Sequence, residues 1–144
     1  MIIRKAEIND IEDIMQIWMT ENIRAHYYIS SDYWEANYSA VKNILPQSEI
    51  YVSVCDGETA GFIGANDNYI EGIFVKSNHQ RKGVGSALLN KLKERKSSLT
   101  LNVYKKNDNA VAFYLKNEFS IINENIEENT KESQYLMQWE LNSD

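Results

Sequence analysis

One segment constrains the fold of this chain more than any other. An extended apolar stretch, Tyr69 to Val75, runs into a polar loop, Lys76 to Lys82. Val84, Ala87, Leu88, Lys91 and Leu92 then follow along one helical face. A strand, a glycine-bearing loop and a helix in that order are the building unit of α/β chains. The flanking sequence alternates in the same manner. Ile2 to Ile8 alternate apolar and polar as a strand does, and Asn9-Asp10 offer capping oxygens ahead of Ile11, Ile14, Met15 and Trp18 at helical spacing. A second helix is predicted from about Ser31 to Ile44, stopping before Pro46 and following the polar-aromatic run Ala25-His26-Tyr27-Tyr28.

Ile50 to Val54 reads as a strand, Asp56-Gly57 as a hairpin turn and Thr59 to Gly64 as the returning strand, which implies an antiparallel meander. Beyond the third helix the pattern predicts a strand at Leu99 to Val103 and a helix from about Asp108 to Lys116, capped by Asn107. Two strands near Phe119 to Asn125 and Gln134 to Leu141 complete it. The expected fold class is α/β (α+β), a mixed central sheet of about seven strands with two helices early and two late.

No repeat, linker or low-complexity tract interrupts the 144 residues, so one domain spanning 1–144 is expected, long enough to bury roughly two-thirds of its unfolded surface. No apolar run approaches the ~20 residues that cross a bilayer, and Met1 to Lys5 lacks the apolar core of a signal peptide. A cytoplasmic protein without a membrane partner is the expectation. Cys55 is the single cysteine and reads as a small buried hydrophobe. With only His26 and His79 beside it, no metal cluster is expected, and neither is Cys-His nucleophilic catalysis.

The net charge of -6 is unevenly spread: Lys76 to Lys106 holds nine basic residues against Glu94 alone, so that window carries about +8 and the remainder about -14. A solvated helix face accounts for such a run as readily as an anionic ligand does, and the motif within it decides. Gln80-Arg81-Lys82-Gly83-Val84-Gly85-Ser86 opens the third helix, where backbone N–H groups lack intrahelical partners and the helix dipole is positive. Glycines at 83 and 85 have no Cβ to hold a ligand away, and Arg81 and Lys82 supply charge, a combination suited to a diphosphate. No Gly-Lys-Ser/Thr follows, as a Walker loop would require, and Leu88 stands where a dinucleotide fingerprint needs a small residue.

These residues resemble the GNAT superfamily, the GCN5-related N-acetyltransferases. The superfamily's acetyl-CoA signature, Gln/Arg-x-x-Gly-x-Gly/Ala after a strand ending in Val, is filled at every position by Gln80 to Gly85 following Val75. A second block, Asn, Ala and Phe-Tyr on the fourth helix, is matched by Asn107, Ala110, Phe113 and Tyr114. More narrowly, Ile17-Trp18, Ala25-His26, Leu45-Pro46, Gly61-Phe62 and Phe74-Val75 are similar to bacterial peptidyl-lysine acetyltransferases of the YjaB type. One departure is Glu118-Phe119, where many members carry Gly-Phe after the fourth helix.

The resemblance implies a GNAT fold splayed between strands 4 and 5, acetyl-CoA as acetyl donor, and transfer of the acetyl group to a primary amine. That amine is a protein lysine or a small polycationic amine. It implies Tyr114 as general acid toward the departing thiolate, protonated at neutral pH because a phenol ionises near pH 10. Main-chain atoms of Ile73, Phe74 and Val75 are assigned to the donor, with an N–H near Phe74 polarising the acetyl carbonyl. Gln80, Arg81, Lys82, Gly83, Val84, Gly85, Ser86, Asn107 and Tyr114 complete the donor site.

An alkyl ammonium is neutral about once in a few thousand molecules at pH 7, a penalty of roughly 4 to 5 kcal/mol, so a base is useful, and Glu71 is the carboxylate expected to serve, directly or through water. His26, Tyr27 and Tyr28 are assigned to the wall of the acceptor pocket, and His79 to an exposed loop position. The rival readings are a catalytically silent CoA-binding or sensor protein on the same fold and an RNA-binding module. The latter lacks a nucleic-acid motif and carries an acidic remainder. The partner expected is the amine alone, with no nucleic acid, for a monomer or a homodimer paired through exposed sheet edges.

Overall fold

The computed structural model describes residues 1–142. Seven strands and four helices alternate along the chain: β1 (Ile2–Lys5), α1 (Ile11–Ala25), α2 (Ser31–Ile44), β2 (Glu49–Cys55), β3 (Glu58–Asn66), β4 (Tyr69–Val75), α3 (Val84–Lys93), β5 (Ser98–Tyr104), α4 (Asp108–Lys116), β6 (Ser120–Ile126) and β7 (Ser133–Glu140). The strands form one sheet in the order β1-β2-β3-β4-β5-β7-β6. Every pairing is antiparallel except β4 with β5. Among the described residues no helix is long and apolar enough to cross a membrane.

The meander β1 to β4 follows from its turn chemistry. Asp56 and Gly57 both take positive φ, 51° and 79°, as a tight two-residue hairpin between right-twisted strands demands. The strands' period of two then sorts side chains onto two faces. Val52 and Phe62 pack with Ile14, Met15 and Ile17 beneath α1 and α2. Tyr51, Ile63 and Ile70 pack with Leu88, Leu89 and Leu92 of α3 and with Leu99, Leu101 and Met137. Each of those α3 leucines is fully buried, which contributes about 2 kcal/mol per side chain relative to exposure.

Two expectations for the first elements are corrected. The first strand ends at Lys5 instead of continuing to Ile8, and Asp10 does not cap α1 with its side chain. Its carboxylate instead takes a bidentate pair of hydrogen bonds from Arg4, at 2.8 and 3.0 Å, and another from Glu7 N at 2.7 Å. That attraction folds Ile8 to Asp10 into a 3-10 turn.

The pairing of β4 with β5 is confined to one register pair, Tyr69 with Thr100, beside a bond from Thr100 N to Asn68 O of 2.9 Å. Beyond it the two strands part, as the fold class anticipates. On its other side β5 pairs with β7 continuously from Ser98–Glu140 to Tyr104–Gln134. The sheet is therefore notched from one edge at its centre, between residues 70–75 and the C-terminal half of β5.

Candidate active site

A cleft of about 950 Å³ occupies the notch on the α3/α4 face. Ile73 and Val75 form its strand wall, Gln80, Arg81, Gly83, Val84, Gly85 and Ser86 its turn, and Asn107, Phe113 and Tyr114 its α4 side. Glu21, Arg24 and Tyr27 close it from the end of α1. Of the residues assigned from sequence, Phe74, Lys82, Glu71, His26 and Tyr28 do not line this cleft.

The register of β3 against β4 explains the absence of Phe74. Lys76 N donates to Ala60 O at 2.8 Å, which makes that pair hydrogen-bonded. Antiparallel ladders alternate, so Phe62–Phe74 is bonded as well, whereas Gly61–Val75 and Ile63–Ile73 are not. The main-chain groups of Ile73 and Val75 therefore face the notch, while those of Phe74 are spent on β3. The Phe74 ring lies on the opposite face, 5.4 Å from that of Phe62. An N–H presented to a ligand in the notch belongs to Ile73 or Val75, not to Phe74.

At the far end of β4, Gly83 caps α3 with φ of 83°, and Arg81 two residues earlier holds φ of 63°. These left-handed residues turn the chain so that the first N–H groups of α3 open outward, and no atom lies within 4 Å of where a Gly83 Cβ would stand. Gly85 serves a different need from the one expected: its Cβ would meet the Phe113 ring at 3.1 Å, so the missing side chain lets α4 close on α3. Six of the nine basic residues of the Lys76–Lys106 window are engaged elsewhere. Lys91, Arg95, Lys96, Lys105 and Lys106 form ion pairs with glutamates, and Lys93 donates to Asn117 O over the Trp139 ring. Lys76, Arg81 and Lys82, flanking the turn, have no ion-pair partner within 4 Å among the described residues.

Gln80 spans the turn's base, its Nε2 donating to Val75 O at 2.8 Å and to Glu21 Oε1 at 3.2 Å. His79, expected at an exposed position, is only 8% exposed and meets Glu58 Oε1 at 2.6 Å through Nε2. Sequence inspection overlooked Glu21, although it falls on the apolar face of α1 in line with Ile14, Ile17 and Trp18, where a carboxylate is out of pattern. Cys55 is half-buried beside Ser53, rather than fully buried.

Tyr114 is 8% exposed, and burial pushes its phenol above the ordinary value near 10, so Oη keeps its proton throughout the physiological range. Among the described residues Oη makes no hydrogen bond within the chain, although the residue borders the cleft. α4 ends just beyond in a Schellman turn: Phe119 N bonds Tyr114 O at 3.0 Å, Glu118 N bonds Leu115 O at 3.2 Å, and Glu118 takes φ of 73°. The Glu-for-Gly departure is thus accommodated with the same turn, at the strain of a left-handed non-glycine.

Asn107 caps α4 through Oδ1, which accepts from Ala110 N at 3.3 Å, and its Nδ2 donates to His26 Nε2 at 3.4 Å. His26 Nδ1 donates to Asn22 O at 2.9 Å, and burial lowers its pKa below 6.5, so the ring is a neutral connector between α1 and α4. The rings of Trp34, Tyr104 and Tyr28 surround it at 5.1, 5.2 and 5.8 Å. Tyr27 is 84% exposed and borders both the cleft and a smaller pocket of about 520 Å³ that includes Lys105, Lys106, Lys131 and Glu132.

Glu71 is the extra residue of a β-bulge, since Gly64 pairs with Gly72 and Ala65 with Ile70. It is exposed, and Oε1 accepts from Ser48 Oγ at 2.7 Å near the end of α2. Tyr114 borders the cleft and Glu71 does not.

A family model described as the acetyltransferase (GNAT) family matches residues 11–119. The chain belongs to the GNAT acetyltransferase family. Among curated proteins it is 27% identical over 140 residues to the peptidyl-lysine N-acetyltransferase YiaC of Escherichia coli K12, covering 96% of both chains. It is 26% identical over 120 residues to the peptidyl-lysine N-acetyltransferase YjaB of the same organism, covering 83% of this chain and 82% of that one. The solution structure of apo-form YjaB from Escherichia coli has the same fold, with a TM-score of 0.84 at 22% identity over 96% of each chain. The structure of yncA from Salmonella typhimurium with its cofactor acetyl-CoA has a TM-score of 0.70 at 19% identity, covering 100% of this chain and 95% of that one.

Proposed function

We propose that this GNAT enzyme takes the acetyl group of acetyl-CoA and passes it directly to a primary amine, with protein lysine as the acceptor class. The observation that carries the donor half is the continuity of one cleft. It runs from an outward-facing helix start flanked by Arg81 and Lys82, which have no ion-pair partner among the described residues, along the unbonded edge of β4, to the phenol of Tyr114. The residues present fit such a donor: the left-handed Gly83 leaves open space above free N–H groups for a diphosphate. Ile73 and Val75 offer main-chain groups for an amide-bearing arm, as an edge strand does for an added strand.

Acetyl-CoA supplies an activated thioester. In the reaction the C–N bond to the amine forms and the C–S bond breaks; one amine proton leaves and the sulfur gains one. The N–H of Ile73 or Val75, facing the notch, would donate to the negative charge that develops on the acetyl oxygen. Tyr114 holds a proton at Oη for the sulfur, and Glu71 accepts one from the amine directly or through water. Support for a lysine acceptor comes from the two peptidyl-lysine N-acetyltransferases to which the chain is similar and from its acidic excess outside residues 76–106.

The decisive test is acetyl-CoA turnover against lysine peptides, polyamines and aminoglycosides, with mass spectrometry locating the added acetyl. Lysine peptides are expected to be acetylated on Nζ. Donor binding without turnover on any amine would leave a silent CoA-binding protein and end the proposal. Gly83→Val, which forces a β-branched residue to φ of 83°, is expected to weaken CoA binding at least ~10-fold in calorimetric titration.

A further inference from the structure

The turn that starts α3 holds a non-glycine residue at positive φ, Arg81, beside Gly83. Strained backbone of this kind persists only where its surroundings over-determine it. The side chain of Gln80, a residue assigned to the donor site, is already engaged within the chain: an amide nitrogen has two N–H donors, and Gln80 Nε2 directs them at Val75 O and Glu21 Oε1, at 2.8 and 3.2 Å. No donor remains for a phosphate. Glu21 is equally committed. It is 7% exposed, Oε1 accepts from Gln80, Oε2 accepts from Ser77 Oγ at 3.4 Å, and Arg24 Nε lies 3.9 Å from Oε1.

A buried carboxylate beside an anion site is costly on electrostatic grounds, because it repels the ligand that the turn attracts. Its presence calls for a compensating gain, and the geometry provides one. Ser77 and Gln80 both lie in the loop between β4 and α3, and Glu21 ties both to α1, a helix distant in sequence.

We infer that Glu21 is a positioning residue for diphosphate binding, acting through Gln80 and Ser77 to hold the Gln80–Gly83 turn open before the ligand arrives. Gln80 accordingly works as part of the scaffold and not as a phosphate ligand. The inference rests on the proposed acetyl-CoA site.

It is tested by calorimetric titration with CoA on wild type, Glu21→Ala, Gln80→Ala and the double variant, with melting curves and steady-state kinetics. Wild type binds CoA; Glu21→Ala raises Kd about 10-fold; and the double variant is no weaker than the weaker single one, because both changes break the same link. The loss falls on KM for acetyl-CoA rather than on kcat. Glu21→Gln, which keeps a carbonyl acceptor for the Gln80 amide, restores affinity to within about threefold, a rescue that a general loss of stability would not produce.

Independent, multiplying losses in the double variant would overturn the inference, as would unchanged CoA affinity in Glu21→Ala. If Glu21→Ala does not fold, Ser77→Ala, which removes the other hydrogen bond to Glu21, decides it: a several-fold rise in Kd for CoA with an unchanged melting curve supports the inference, and an unchanged Kd overturns it. Failure of wild type to bind CoA would instead sink the donor site itself.

Discussion

Two neighbouring regions of the molecule are built on different principles. Along the notch the chain presents main chain: a left-handed Gly83, the free N–H groups of α3 and the unbonded edge of β4 at Ile73 and Val75. Where the end of α1 meets α4 it packs side chains, with His26, Tyr28, Trp34 and Tyr104 interlocked at ring separations of 5.1 to 6.0 Å. A backbone site needs only that residues permit a conformation, so its demands surface as glycines at fixed spacing. The aromatic cluster draws on residues 26, 28, 34 and 104, which no local pattern links. The turn and strand edge of the notch are therefore encoded locally, and the cluster is not.

The sharpest way to break this contrast is at Tyr114. Tyr114→Phe removes only a hydroxyl that makes no bond within the chain among the described residues. We expect kcat to fall about 100-fold while CoA affinity stays within twofold. The raised phenol pKa carries a further sign: the phenol remains protonated above pH 10, so the wild-type rate shows no alkaline fall from its ionisation there. A Tyr114→Phe enzyme with wild-type kcat would end its assignment as the acid.

Glu71 sharpens the comparison from outside the cleft. Glu71→Gln keeps the acceptor for Ser48 Oγ and removes the charge. It should leave CoA binding untouched and lower kcat/KM for the amine about 10-fold near pH 8. An unchanged kcat/KM would remove Glu71 from the reaction. The smallest effect is expected at Glu118, outside both regions. Glu118→Gly relieves a left-handed residue in the turn after α4, offset by glycine's greater unfolded freedom, for a net gain of about 0.5–1 kcal/mol and a rise in Tm of ~2–3 °C. A melting curve checks it, and CoA affinity should not move.

Much of the fold was legible because its signals are local. α2, β4 and α4 follow the expected bounds: Pro46 limits α2, Asn107 caps α4, and the hydrophobic period changes cleanly around β4. What escaped depends on distant partners. β1 stops at Lys5 because Arg4 closes on Asp10, and His79 is buried because Glu58 waits on β3. Within the site, the α3 turn was readable from two glycines, but their separate duties, one conformational and one for packing against Phe113, depend on what lies around each in space. The choice of Ile73 and Val75 over Phe74 depended on a single bond, Lys76 N to Ala60 O. Glu21 did leave a trace, a charge in an apolar stripe, whose meaning only Gln80 and Ser77 disclose.

The lone ladder pair between Tyr69 and Thr100 joins two half-sheets as a rivet joins scissor blades. Because it sits at one end, widening the other end breaks no ladder hydrogen bond among the described residues. The mouth of the notch can thus follow the thickness of whatever lies in it while each half-sheet stays intact.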